Sequence, residues 1–128
     1  MKIEIEIKPK DQLRYDTVGD YFYKPDGTLR FEIADTGTEF YTKLILIHEI
    51  VEEALTKYKG ITEQQITDFD LYYEKRRAQG LVPENSEPGF DNNAPYLFEH
   101  ILASSVEMVM CSHAGLSWTD YDYAINNL

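Results

Sequence analysis

Two apolar segments of this 128-residue chain each carry a histidine and a glutamate on one helical stripe. The first runs Leu44-Ile-Leu-Ile-His48-Glu49-Ile-Val-Glu52-Glu53-Ala-Leu55, the second Tyr96-Leu-Phe-Glu99-His100 through Glu107 to Cys111. Imidazoles and carboxylates in core helices are costly unless partnered, and a divalent cation is the natural partner for two such helices facing each other. At about 100° per residue, His48 and Glu52 lie one turn apart on the edge of the face made by Phe40, Leu44, Ile47, Val51, Ala54, Leu55 and Tyr58. That i, i+4 spacing lets two side chains hold one ion. Glu49 and Glu53 fall progressively outward, and Glu53 is assigned to solvent.

On the second segment Phe98, Ile101, Leu102, Val106, Met108 and Val109 cover most of the circumference, leaving a stripe of His100, Ala103, Ser104, Glu107 and Cys111. No Lys or Arg occupies that stripe, so an internal polar or metal site suits it better than a solvated face. Small Ala103 and Ser104 leave room for an approaching group. Asp70, bordering the Ile66/Phe69/Tyr73 side of an intervening helix, is a further candidate: a metal ligand, a hydrogen-bond partner of a ligand histidine, or a partner of Arg77. Asp91 is read as a helix-favouring acid and His113 as a group meeting the last helix carbonyls.

The expected metal set is therefore His48, Glu52, His100 and Glu107, with Asp70 as a fifth member. These donors suit zinc, and also iron or manganese. A carboxylate-bridged di-metal centre is less favoured, because the Glu-x-x-His spacing of such bundles is not reproduced. Glu49, directly after His48, is the candidate general base, which would make the chemistry metal-assisted hydrolysis. The segment is similar to the zincin motif H-E-x-x-H, with Glu52 standing where the motif has its second His. Four protein ligands would instead make a closed, structural site.

These residues need elements to hold them. Lys2–Lys8 alternates, with Ile3, Ile5 and Ile7 on one face, and predicts a half-buried strand. Lys24-Pro-Asp-Gly27, between Asp20–Tyr23 and Thr28–Ile33, predicts a β-hairpin. Together they suggest one small antiparallel sheet. Thr36-Gly-Thr-Glu39 resembles a capping box for a first helix closed by Gly60, and Thr62-Glu-Gln-Gln65 one for a second ending near Gln79. The aperiodic stretch Leu81–Asn93 is long enough to suggest a functional loop. Asn92 or Asn93 is expected to cap the third helix, with Pro95 in its first turn and Gly115 at its end. Ser117 starts a short last helix with Trp118, Tyr121 and Tyr123, a candidate dimer face. The fold class is α+β, one domain over residues 1–128, β-rich over 1–35 and helical over 36–128.

Taken together, His48-Glu-Ile-Val-Glu-Glu-Ala-Leu55, Thr67-Asp-Phe-Asp70, Glu87-Pro-Gly-Phe-Asp91, Ala94-Pro-Tyr96 and Glu99-His100 to Glu107 resemble a group of short phage- and prophage-encoded proteins. The likeness covers roughly residues 44–110. It implies viral or mobile-element origin, without an activity.

Composition bounds the alternatives. A net charge of −11 argues against nucleic-acid binding through phosphate neutralisation. It suits a cation-binding protein or an acidic interaction protein acting on a basic host partner, which is the alternative reading. One cysteine and an N-terminus unlike a signal peptide lead to the expectation of a cytoplasmic protein. No stretch suits a membrane span. The leading reading is a His/Glu metal protein, with a degenerate zincin-like hydrolase as its catalytic form.

Overall fold

The computed structural model describes residues 1–128. The turn at Lys24–Gly27 closes as its residues dictate: Gly27 takes φ +87° and its N–H donates to the Lys24 carbonyl. It joins β2 (Gly19–Tyr23) antiparallel to β3 (Leu29–Ala34). The first strand, β1 (Ile3–Lys8), pairs parallel to β3, Ile5 opposite Phe31. The sheet order is β1-β3-β2, so the sheet is mixed rather than wholly antiparallel. The segment between β1 and β2 carries the chain back across β3, which is what allows β1 to run parallel.

Four helices follow: α1 (Glu39–Lys59), α2 (Glu63–Ala78), α3 (Leu97–His113) and α4 (Trp118–Asn126). This is the α+β architecture expected, with three main helices and a short last one. The end signals divide by chemistry. At α2 the capping box forms in full, Thr62 accepting from the Gln65 N–H and Gln65 from the Thr62 N–H. Ser117 caps α4 in the simpler way. At α1 the box is absent, because the helix starts at Glu39 and the acid falls too early to reach back. Thr36 there accepts from the Thr38 N–H, a local turn around Gly37. The start of α3 also differs from expectation: Asp91 ties back the N–H groups of Asn93 and Ala94, and the helix begins only at Leu97, beyond Pro95. A residue preceding proline is biased away from helical angles, which places the start downstream.

The core forms two clusters. One joins Tyr21, Leu29 and Phe31 to Ile66, Ala94 and Tyr96; the other joins Ile33 to Leu44, Ile45, Cys111, Tyr121 and Ile125. Tyr121 is fully buried and Trp118 packs on the same cluster, so of the aromatic trio only Tyr123 is an exposed residue. Strand β1 departs from the half-buried reading. Ile3, Ile5 and Ile7 remain close to half exposed. The cause is topological, since α1 packs on β2 and β3 and leaves the β1 edge beyond its reach.

The larger departure concerns the helix faces. On α1 the buried side chains are Thr42, Leu44, Ile45, His48, Glu52 and Thr56, while Tyr58 and Ala54 are exposed. On α3 they are Glu99, Ala103, Ser104, Glu107 and Cys111. Both helices bury their polar stripe. Glu53, expected in solvent, is half-buried beside β2, where it accepts the Tyr23 hydroxyl proton.

The two classes of isoleucine give a direct test. Ile33→Ala, which empties a fully buried position, is expected to cost about 2–5 kcal/mol in denaturant unfolding. Ile5→Ala is expected to cost about 1 kcal/mol or less. Equal losses would contradict the assignment of β1 as an uncovered edge.

Candidate metal centre

Helix α1 delivers His48 and Glu52 from successive turns, and α3 delivers His100 across from them. The Glu52 Oε2 atom is 3.1 Å from His48 Nε2 and 2.9 Å from His100 Nδ1, and the two nitrogens are 3.1 Å apart. These three atoms form a nearly equilateral triangle. Ligand atoms on a tetrahedral zinc, with bonds near 2.0–2.1 Å, lie about 3.3 Å apart. The triangle is thus one face of such a polyhedron, slightly contracted. The three residues could hold a metal ion.

The far nitrogen of each imidazole is also engaged. His48 Nδ1 bonds Glu107, which in turn accepts the Tyr121 hydroxyl proton. His100 Nε2 lies 3.2 Å from Glu87 Oε2. A carboxylate behind a ligand histidine fixes its ring and raises its basicity, and this arrangement accompanies ligand histidines generally. Glu107, expected among the ligands, is therefore placed behind His48, on the nitrogen that faces away from Glu52. Asp70 also lies outside the triangle. It accepts the Tyr96 hydroxyl proton, while its suggested partner Arg77 pairs with Glu74 instead. Glu99 is buried against Lys59 at 2.7 Å, and His113 is exposed in the last turn of α3. The Asp91 side chain caps the turn before α3, as already described.

The loop between α2 and α3 supplies what the helices lack. Besides Glu87 it brings Phe90 edge-on to the His100 ring, with centroids 4.6 Å apart. Gly89 lies flat against the same ring: a Cβ there would sit 2.5 Å from His100 Cδ2. No larger residue fits without moving the His100 ring. Neither Glu87 nor Gly89 is identifiable from helical periodicity; the Pro88-Gly89 pair inside an unusually long connection is the one local signal. A similar close approach occurs at Gly19, where a Cβ would fall 2.7 Å from Glu49 Oε1.

The triangle opens on a cavity of about 280 Å³ whose wall includes Tyr15, Asp20, Glu49, Asp70, Tyr96 and Ser104. Burial, followed by the charge of Glu52, pushes the Glu49 carboxyl up to about 8. Burial raises Asp70 to about 7, against the pull of Tyr96. Burial opposes charge on the histidines as well, but their carboxylate partners prevail: His48 is held well above its usual value by Glu107 and Glu52, and His100 at about 9 by Glu52 and Glu87. Glu52, although buried, is held down at about 2 by its bonds to His100 and His48. Two imidazole nitrogens thus converge on one carboxylate oxygen, and a dication bound there would compete with the protons the histidines otherwise hold.

The sign of the pH dependence follows. In metal-free protein the stabilisation from the raised histidines is complete below their ordinary value of 6.5 and is lost as pH rises through 9. Glu49 and Asp70, also raised, add a loss of the same sign as pH climbs through 7 and 8. Glu52 acts oppositely: its contribution is present above 4.5 and disappears as pH falls through 2. Metal binding releases the imidazole protons and so strengthens with pH. Thermal melts in chelator should fall from pH 6.5 to 9, and added zinc should raise the melting temperature most at the alkaline end. A melt in chelator that is flat over this range would contradict the assignment of the cluster. Comparison with protein-family models, curated proteins and solved structures yields no match, so the site chemistry alone carries the functional reading.

Proposed function

We propose that the protein binds one zinc ion through His48, Glu52 and His100 and uses it for hydrolysis of a carbonyl-type bond. The observation that carries this reading is the triangle of two nitrogens and one oxygen, each imidazole backed by a carboxylate, with its open side toward a cavity. Two His and one Glu are the donor set of hydrolytic zinc sites, and three protein ligands leave a coordination position free. Iron or manganese would suit the same donors.

When bound, the metal supplies Lewis acidity toward a water or a carbonyl oxygen. The protein's own groups do the rest. Glu49 lines the cavity with a carboxylate that no hydrogen-bond donor in the protein engages, and a raised acid near neutrality suits proton transfer from an attacking water. It is the residue adjacent to the first ligand, as in H-E-x-x-H, although the second ligand here is Glu52. The cations in the wall are committed, Arg77 to Glu74 at 3.1 Å and Lys10 to Asp16 at 3.0 Å, and Asp20 of the wall is paired with Arg14 at 2.7 Å. With Asp20, Asp70 and Glu87 also present, the cavity favours neutral or cationic substrates over polyphosphates.

Elemental analysis of the native protein should find one metal per chain. His48→Ala and His100→Ala should each abolish it. Glu107→Gln, which alters the group behind His48 and keeps an oxygen for the Tyr121 hydroxyl, should weaken binding about 10–100-fold. Glu49→Gln should retain the metal while hydrolysis of an ester and amide panel falls by about 10²–10⁴. Metal-free native protein whose melting is indifferent to zinc would overturn the proposal. Metal retained with full hydrolysis in Glu49→Gln would remove Glu49 from it.

A further inference from the structure

Helices α1 and α3 run antiparallel. Lys59 at the end of α1 meets Glu99 near the start of α3, while His48, earlier in α1, meets Glu107, later in α3. Both turn their polar stripe to the same side of the pair, where the His48–Glu52–His100 triangle lies. Their opposite stripes therefore share the other side. Those stripes are apolar and open: Tyr58 is 89% exposed, Phe98 74% and Val109 69%, with Ile50, Leu102 and Met108 each more than two-fifths exposed.

We propose that this two-helix face is the interface of a homodimer, in which the α1/α3 pairs of two copies pack face to face as a four-helix layer. Three observations favour a second copy as the occupant. The first is area. Six large apolar residues exposed to these extents together offer roughly 700 Å², close to the ~800 Å² one partner contributes to a standard interface. The second is charge. The chain has 23 acidic residues and a net charge of −11, so most approaches between copies juxtapose like charges. The outward positions 98, 101, 102, 105, 108, 109 and 112 of α3 carry no charge, and Ile47, Ile50, Ala54 and Tyr58 of α1 carry none. Two lysines, Lys43 and Lys57, share the outward α1 stripe, and each is engaged by a neighbour. Lys43 is paired with Glu39, and Lys57 lies over the Tyr23 ring, 4.7 Å from its centroid. The third is closure: one apolar face meeting itself across a two-fold axis buries both copies completely and leaves nothing to propagate.

The arrangement also explains why α1 and α3 display reversed amphipathicity. Each has one face for the polar centre and one for the partner, so neither apolar stripe is left to water in the assembly.

Sedimentation velocity at high micromolar concentration tests the proposal. The native protein should sediment at twice its chain mass. Val109→Glu and Leu102→Glu, each placing a carboxylate in the interface, should sediment at the chain mass while retaining native circular dichroism. Ile5→Glu, on the other exposed apolar stripe at the β1 edge, should remain dimeric. A native protein that sediments as a single chain would overturn the proposal. So would dimers that persist in both helix variants, or that dissociate in Ile5→Glu. Because the readout is mass rather than metal or activity, it stands independently of the centre proposed above.

Discussion

The buried carboxylate of Glu52, shared between His48 and His100, is the constraint on which the structure turns. An acid and two bases withdrawn from water are tolerable only when each polar atom has a partner. The fold answers this group by group. Glu107 and Tyr121 complete the outer side of His48, and Glu87 completes that of His100. No buried side-chain polar atom in the molecule lacks a hydrogen-bond partner. The cluster therefore sets the rotation of α1 and α3 about their axes, because only one rotation brings both polar stripes together.

Several otherwise separate features follow from that rotation. Helix α4 docks Tyr121 into the core, where its hydroxyl can reach Glu107. The loop after α2 must pass flat over His100 to deliver Glu87, and glycine at position 89 is what lets it do so. Glycine at position 19 performs the same service on the opposite wall, where β2 passes against Glu49. The apolar faces of α1 and α3 are turned outward as the geometric complement of the polar ones turned inward. The sheet is the passive partner: β2 and β3 support α1, and β1 extends the edge without entering the core.

The parts legible in the sequence were those governed by local chemistry. The Pro-Asp-Gly turn, the Thr62 capping box, Gly60 as an α1 terminator and the two His/Glu stripes all depend on residues near one another in the chain. Pairing His48, Glu52 and His100 needed one further step, that two costly stripes seek each other. The failures share a cause. Hydrophobic periodicity assigns apolar stripes to the core, yet Ala54, Tyr58, Phe98 and Val109 are exposed, because burial of the polar cluster turns those stripes outward. Glu107 lies on the correct stripe, yet its position behind His48 rather than in the triangle depends on which His48 nitrogen it meets. Glu87 belongs to an aperiodic loop, where the Pro88-Gly89 pair beside it is the one local mark. The parallel pairing of β1 is likewise a matter of tertiary connection, invisible in an alternating strand.

The central claim is that two imidazoles and one carboxylate, drawn from two helices, form a single open metal centre. X-ray absorption spectroscopy of the zinc-loaded protein tests it most directly. The account predicts a first shell of nitrogen and oxygen alone at about 2.0–2.1 Å, with the outer-shell scattering of two imidazoles. A sulfur ligand from Cys111, or a shell with a single imidazole in the native protein, would contradict it.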